Sequence, residues 1–230
     1  MDQRINFVFL HVGEDIRPLL LVKSIRKFYP NANIYQCSDL KTSQIDGVDF
    51  IYRHDGNIEN LMIFRLEAFS NLKLNERSIY LDTDMLVTNF FDLSTFDKYD
   101  IVLCKRSFAN NALINTTFKG MDLSEYQGKT FGEVYPFLAC FNITNSYLFW
   151  SECLKALRSI DKKFFFWYGD QEAIRIVATL NYDFNIGTLD ESEFACLPEY
   201  VNKDNLPNLI HYKGPNRKGL MIEDANKYTL

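Results

Sequence analysis

The stretch Arg77-Ser-Ile-Tyr-Leu-Asp-Thr-Asp-Met-Leu-Val-Thr-Asn-Phe-Phe-Asp-Leu93 decides how this chain is read. Ser78 to Leu81 has strand character and runs directly into Asp82 and Asp84, which flank Thr83. The apolar Met85-Leu86-Val87 follows, then polar turn residues. In an extended chain, positions i and i+2 point to the same side. Two carboxylates so placed at the mouth of a buried strand repel each other unless a cation sits between them. A divalent metal that in turn holds a pyrophosphate suits such a pair. A bare Asp-x-Asp arises readily by chance, and an Asp-rich turn would satisfy the same letters, so the rest of the chain has to decide.

Working outward on the N-terminal side, strands and helices alternate. Ile5–His11 is a short apolar run, and 16–29 has helical spacing with Leu19, Leu20, Val22, Ile25 and Phe28 on one face, stopped by Pro30. Two strands are expected at 33–37 and 48–52, then a helix over 59–72. This alternation predicts an α/β fold with a mostly parallel sheet covered on both faces. Ligands of such sheets bind beyond the carboxyl ends of the strands, where the Asp pair falls.

On the C-terminal side a strand is expected at 99–104, after which the pattern fades. The segment 107–133 is polar, contains Gly and keeps no period, and its length exceeds usual connections, so it is either functional or disordered. Regular structure resumes with a strand at 137–143, helices near 147–160 and 170–180, and short strands around 182–186 and 209–212. The chain shows no repeat, low-complexity tract or linker, and 230 residues fit one domain that buries enough surface to need no staples.

Composition narrows the function. A hydrophobic fraction of 47% with 20 Phe and 13 Tyr fits a globular core. The net charge of −5 argues against a backbone-binding nucleic-acid partner but not against an anionic sugar nucleotide met by a metal and local cations. The five cysteines (37, 104, 140, 153 and 196) form no C-x-x-C and read as buried reduced thiols. A strand that begins at Ile5 leaves no room for a signal peptide, and no apolar run reaches the ~20 residues of a membrane helix. The expectation is a soluble, cytoplasmic protein.

Further chemical candidates follow. Of His11, His54 and His211, only His211 ends an apolar strand, and it opens His-Tyr-Lys-Gly-Pro-Asn-Arg-Lys-Gly, residues 211–219. Gly214 and Gly219 allow close approach of backbone to phosphate, while Lys213, Arg217 and Lys218 supply charge-assisted bonds to it. Imidazole with carboxylates suits Mn²⁺ or a similar ion. The alternative is a basic surface turn. Asp170-Gln171 begins a helix after the aromatic run 164–168; Asp170 is either a site residue or an N-cap, and the aromatic run is either core or a sugar platform. Arg65, in a helix, is either a site cation or a partner of Glu59 or Glu67.

Taken together, these features resemble the nucleotide-sugar glycosyltransferases of the GT-A fold, in particular glycosyltransferase family 8, which includes bacterial lipopolysaccharide galactosyl- and glucosyltransferases and glycogenin. The matches run in family order: a helical arginine (Arg65), then Tyr80-Leu-Asp-Thr-Asp-Met-Leu-Val87 against YLD-x-D-x-[LV]-V. Phe141-Asn142 resembles the start of FNAG, Asp170-Gln-Glu-Ala-Ile174 resembles DQD-x-[LI], and 211–219 resembles H-[FY]-x-G-x-x-KPW. Ile143-Thr144 stands where the family has Ala-Gly, Pro-Trp is missing, and Arg217 and Lys218 both stand near the family lysine.

The resemblance implies a single GT-A domain of a Rossmann-like, mostly parallel sheet flanked by helices, with a nucleotide-binding half at 1–106 and an acceptor and sugar half at 107–230. It implies Asp82, Asp84 and His211 as ligands of Mn²⁺ (or Mg²⁺), with Asp82 also near the ribose. Arg65 would contact donor sugar or phosphates; Asn142, Asp170 and Gln171 would line the sugar pocket. Gly214 with Arg217 or Lys218 would hold the leaving diphosphate. The implied activity moves a hexose from a UDP-sugar to a glycan or lipid-linked hydroxyl acceptor with retention, in polysaccharide biosynthesis, with peripheral membrane association through a partner or lipid. Acceptor specificity is expected in 107–133 and 164–168. One alternative is an inverting transferase with Asp170 as base. The other is a haloacid-dehalogenase-type phosphatase with Asp82 as nucleophile, which leaves 211–219 without a role.

Overall fold

The computed structural model describes residues 5–179 and 183–228. Its centre is a seven-stranded sheet in the order β10-β6-β9-β4-β1-β2-β3. The strands are β1 (Asn6–Leu10), β2 (Asn33–Ser38), β3 (Phe50–Arg53), β4 (Ser78–Leu81), β6 (Ile101–Lys105), β9 (Phe137–Thr144) and β10 (Ile186–Asp190). β9 runs antiparallel to both neighbours, β4 and β6, and the other pairings are parallel. Two short strands, β5 (Met85–Val87) and β11 (Leu209–His211), make a separate antiparallel ribbon. The fold is the mixed, mostly parallel α/β domain expected from the sequence.

Alternation along each strand explains why the sheet is covered twice. Phe7, Phe9, Ile79 and Leu81 face one side, where they meet Leu21 and Ile25 of α1 (Arg17–Phe28). Val8 and Tyr80 face the other, where they meet α2 (Leu61–Leu72), α4 (Leu148–Arg158) and α5 (Gly169–Thr179). Phe69, Tyr80 and Trp150 pack ring against ring there, with centroids 4.8–5.3 Å apart. With little polar surface on either face, the near-continuous apolar runs of β1 and β4 are what a doubly covered sheet requires. A third apolar group joins Leu86 and Ile210 of the ribbon to Leu20 of α1 and Met221 of α8 (Leu220–Tyr228).

The expected elements shift in places. Strand 48–52 lies at Phe50–Arg53 because Gly47, at φ +84°, and Val48 complete a turn first. The strand expected around 182–186 is β10 at Ile186–Asp190, registered on β6 from Ile101 to Lys105; Tyr182 and Leu180 lie outside the described residues. All five cysteines are buried and free.

The polar segment 107–133 is ordered. It carries the hairpin β7 (Thr117–Phe118) and β8 (Met121–Asp122), then a turn of helix, α3 (Phe131–Val134), fixed by a capping box between Thr130 and Glu133. Ile114, Met121 and Leu123 anchor it in the core, and the Tyr126 hydroxyl donates to Glu172 at 3.2 Å. Three apolar anchors spaced along a polar run leave no period to read. Of the remaining short helices, α6 (Glu191–Phe194) follows β10 and α7 (Pro215–Lys218) precedes α8.

Candidate active site

Asp82 and Asp84 lie beyond the carboxyl end of β4, in a turn rather than on a continued strand. The Asp82 N–H donates to the Cys140 carbonyl of β9 at 2.9 Å, the last ladder bond before the chain bends. Their carboxylates therefore converge because of the turn and because of β11, not through i, i+2 alternation. β11 pairs with β5 so that His211 faces Met85, and the Tyr212 N–H donates to the Asp84 carbonyl at 2.8 Å. That register sets His211 Nε2 3.4 Å from Asp84 Oδ1. One ligand atom from each of Asp82, Asp84 and His211 can be chosen so that all lie within 4.8 Å of one another. Two carboxylate oxygens and one imidazole nitrogen form a donor set that fits Mn²⁺, or Mg²⁺ less specifically.

Electrostatics at this point charge both Asp84 and His211, so ligation of a metal by the imidazole would release its proton. Burial works against charge on Asp84, yet His211, Lys218 and Arg17 outweigh it and hold its pKa at about 2. Burial likewise opposes an imidazolium at His211, but the Cys140 sulfur and the Asp84 carboxylate prevail and raise its pKa to about 10. Lys218 Nζ stands 3.8 Å from Asp84 Oδ2.

Behind the acid pair, α2 contributes Arg65, only 8% exposed. Its guanidinium bridges two carboxylates: Nη2 to Asp82 Oδ1 at 2.7 Å and Nη1 to Asp170 Oδ2 at 2.9 Å. Arg65 thus pairs with neither Glu59 nor Glu67; Glu67 is taken by His54 and Arg158. Asp170 is the second residue of α5, not its cap, and its Oδ1 accepts from the Gln171 N–H at 2.8 Å. Burial raises the Asp170 pKa, and Arg65 opposes that rise. Gln171 Oε1 accepts from Arg106 Nη2 at 2.6 Å. Because arginine only donates, this contact fixes the amide orientation and leaves the Gln171 NH2 and one carbonyl lone pair for a ligand.

These groups line one cavity of about 770 Å³. Its lining includes the polar Asp82, Asp84, His211, Lys213 and Lys218 and the apolar Leu61, Met62, Phe118, Phe131 and Trp167. Gly214 has φ +85°, a conformation that suits glycine, and a Cβ there would meet only Arg217 Nη1, at 3.9 Å. Both candidate specificity segments reach the cavity: the Phe118 and Trp167 rings lie 5.8 Å apart, and Lys119 Nζ sits 3.4 Å from the Trp167 ring centre. The aromatic run splits, with Phe164 in the core and Trp167 and Tyr168 on the cavity wall.

Two expected site residues fall elsewhere. Asn142 is fully buried within β9, donates to the Ala139 carbonyl at 3.0 Å and does not line the cavity. The strand projects Leu138, Ala139 and Cys140 there instead. Phe141-Asn142 lies deeper in the sheet. Arg217 turns away: its Nε donates to Glu199 at 2.9 Å and its Nη1 to the Lys213 carbonyl at 3.1 Å, which leaves Lys218 as the cation beside Asp84. Sequence reasoning missed Arg106, Lys119 and Arg17 at the cavity wall. No motif marks them, since they stand in polar stretches where a cation ordinarily faces solvent.

No protein-family model matches the sequence, and no curated protein matches it by sequence. Solved structures do match by fold. The glycosyltransferase GlyE of Streptococcus pneumoniae TIGR4 superposes with a TM-score of 0.63 at 14% identity over 97% of this chain, and its apo form with 0.60 at 14% over 97%. A galactosyltransferase, LgtC, solved with donor and acceptor sugar analogues, superposes with a TM-score of 0.55 at 17% identity over 98% of this chain and 96% of its own. The chain spans 60% of the length of GlyE. At these identities the likeness is one of fold: this chain has the α/β fold found in these glycosyltransferases.

Proposed function

We propose that the protein is a metal-dependent glycosyltransferase that takes a hexose unit from a UDP-sugar to a glycan or lipid-linked hydroxyl. The observation that carries this reading is the convergence of Asp82, Asp84 and His211 in one cavity with the Arg65–Asp170 pair and Lys218. Asp82, Asp84 and His211 would hold Mn²⁺ or Mg²⁺, which when bound offsets the charge of the donor diphosphate. In this reading 1–106 supplies the acid pair, and 107–230 supplies His211, Lys218 and the aromatic wall that faces the acceptor.

In the transfer, the bond from the anomeric carbon to the diphosphate oxygen breaks and a bond from that carbon to the acceptor oxygen forms. The hydroxyl proton passes to the departing diphosphate. Lys218 with the Gly214 backbone lowers the cost of negative charge on that leaving group. Arg65 holds Asp170 against the sugar, and Gln171 offers its amide to sugar hydroxyls.

Retention is favoured over inversion by the state of Asp170, whose two oxygens are engaged by Arg65 and by the Gln171 N–H. Those contacts fix the carboxylate in place, so it would act as a base only on an acceptor hydroxyl brought to it. Front-face attack, in which the leaving diphosphate takes the proton, asks nothing further of it. NMR of the first product from an α-linked UDP-sugar distinguishes the two: an α linkage is expected, and a β linkage would make Asp170 the base.

Titration calorimetry tests the metal. UDP is expected to bind with Mn²⁺ and to lose at least tenfold in affinity in EDTA, and Asp84→Asn to show the same loss with Mn²⁺ present. Equal affinity in Mn²⁺ and EDTA would remove the metal from the reading.

A further inference from the structure

The charge of the cavity is out of keeping with the rest of the chain. The protein carries −5 overall, yet six cationic side chains line this cavity against three carboxylates. Four of the cations have carboxylate partners: Arg17 pairs with Asp15, Lys213 with Glu191 at 3.4 Å, Lys218 with Asp84 at 3.8 Å, and Arg65 with Asp82 and Asp170. Arg106 and Lys119 have none within 4.0 Å among the described residues. Lys119 is exposed and lies over Trp167. Arg106 is 6% exposed, so its charge has lost most of its water without gaining a counter-ion.

Its surroundings hold the Arg106 guanidinium still without neutralising it. Nε donates to the Tyr135 carbonyl at 2.9 Å, Nη2 to Gln171 Oε1 at 2.6 Å, and the group rests 5.0 Å over the Phe131 ring. Nη1 has no acceptor among the described residues. Glu191, the acid that most stabilises its charge, makes no contact with it: its Oε2 accepts from the Ser107 and Phe108 N–H groups at 2.7 and 2.8 Å and its Oε1 faces Lys213. A buried, oriented and unpaired guanidinium is costly unless a ligand supplies the anion. Its planar fork matches a carboxylate.

We propose that Arg106 is a specificity-determining residue that binds a carboxylate on the donor sugar, so that the sugar transferred is a hexuronic acid rather than a neutral hexose. This rests on the donor-sugar reading of the cavity. Arg106 is bonded to Gln171, which in that reading lines the sugar pocket with Asp170, so Arg106 would stand beside the donor sugar. A carboxylate at C6 presents two acceptor oxygens to the free Nη1 edge; a hydroxymethyl group there leaves the cation unpaired, and a site built for a polar group rejects the analogue without it.

Calorimetry with matched pairs tests this: UDP-glucuronic acid against UDP-glucose, and UDP-galacturonic acid against UDP-galactose, each with Mn²⁺. At least one uronate is expected to bind tenfold or more tightly than its hexose partner, and Arg106→Gln to bring that ratio towards one, with Arg106→Lys intermediate. UDP alone reports whether the nucleotide site is formed in each variant. Equal affinity within both pairs in the wild type overturns the proposal without any variant, as does a preference that survives in Arg106→Gln. A carboxylate preference that appears only between methyl glucuronide and methyl glucoside, with UDP and Mn²⁺ present, assigns the anion to the acceptor and overturns the donor assignment. Failure of UDP itself to bind sinks the transferase reading, whereas UDP binding without uronate preference sinks only this inference.

Discussion

Arg65 shows how much one side chain can decide. It is the shared counter-ion of Asp82 and Asp170, both brought to it from distant parts of the chain. Removing it leaves the buried Asp170 carboxylate without its counter-ion and facing Asp82, whose side chain is 31% exposed. Arg65→Ala is expected to cost about 3–5 kcal/mol, the range for a broken buried pair. Arg65→Met with Asp170→Asn is expected to recover much of that, because the partner charge goes with the cation. Urea unfolding measures both; a double variant no more stable than Arg65→Ala would mean that the loss comes from packing against Phe69, whose ring lies 5.3 Å from the guanidinium.

At the level of elements, the ribbon of β5 and β11 makes the metal set. Met85-Leu86-Val87 is too short to stand alone as a strand, and it is held by pairing with 209–211 and by the apolar group around Met221. Ile210 is fully buried opposite Leu86 in that ribbon and ligates nothing. Ile210→Ala is expected to cost about 2–5 kcal/mol in stability, as large-to-small core changes do. It is also expected to weaken Mn²⁺ binding, because this register, with the His211 N–H bond to the Cys196 carbonyl on the other edge, holds His211 against Asp84. Unfolding curves with Mn²⁺ calorimetry check it; undiminished metal affinity would show that His211 is placed by something other than the ribbon.

The whole molecule packs an apolar layer on each face of one sheet, so both layers depend on the same strands. Its two tryptophans sample different places: Trp150 is 1% exposed among Phe69 and Tyr80, and Trp167 lines the cavity. Unfolding is therefore expected as one transition, with Trp167→Phe and Trp150→Phe giving fluorescence midpoints that coincide with far-UV circular dichroism once each variant is compared with itself. Separate midpoints within either variant would show that the cavity wall and the core come apart independently.

The sequence alone determined the features that depend on neighbours along the chain. Strand–helix alternation predicted the doubly covered α/β sheet, apolar runs into polar turns located β1, β4 and α2, and the position of Asp82 and Asp84 at a strand end followed from Ser78–Leu81. Those follow from local period and from the need to bury apolar faces. Only the tertiary structure decided what depends on register and direction. β9 shows Leu138, Ala139 and Cys140 to the cavity and hides Asn142, because a strand bonded on both sides fixes which residues end at its mouth. Arg217 and Lys218 are neighbours with the same charge, and the turn at Gly214 sends one to Glu199 and the other to Asp84. Arg106 reads as an ordinary polar-segment cation until Tyr135, Phe131 and Gln171 close around it. Whether a charge is solvated or stranded is a property of what packs beside it, and packing partners far along the chain leave no local pattern to read.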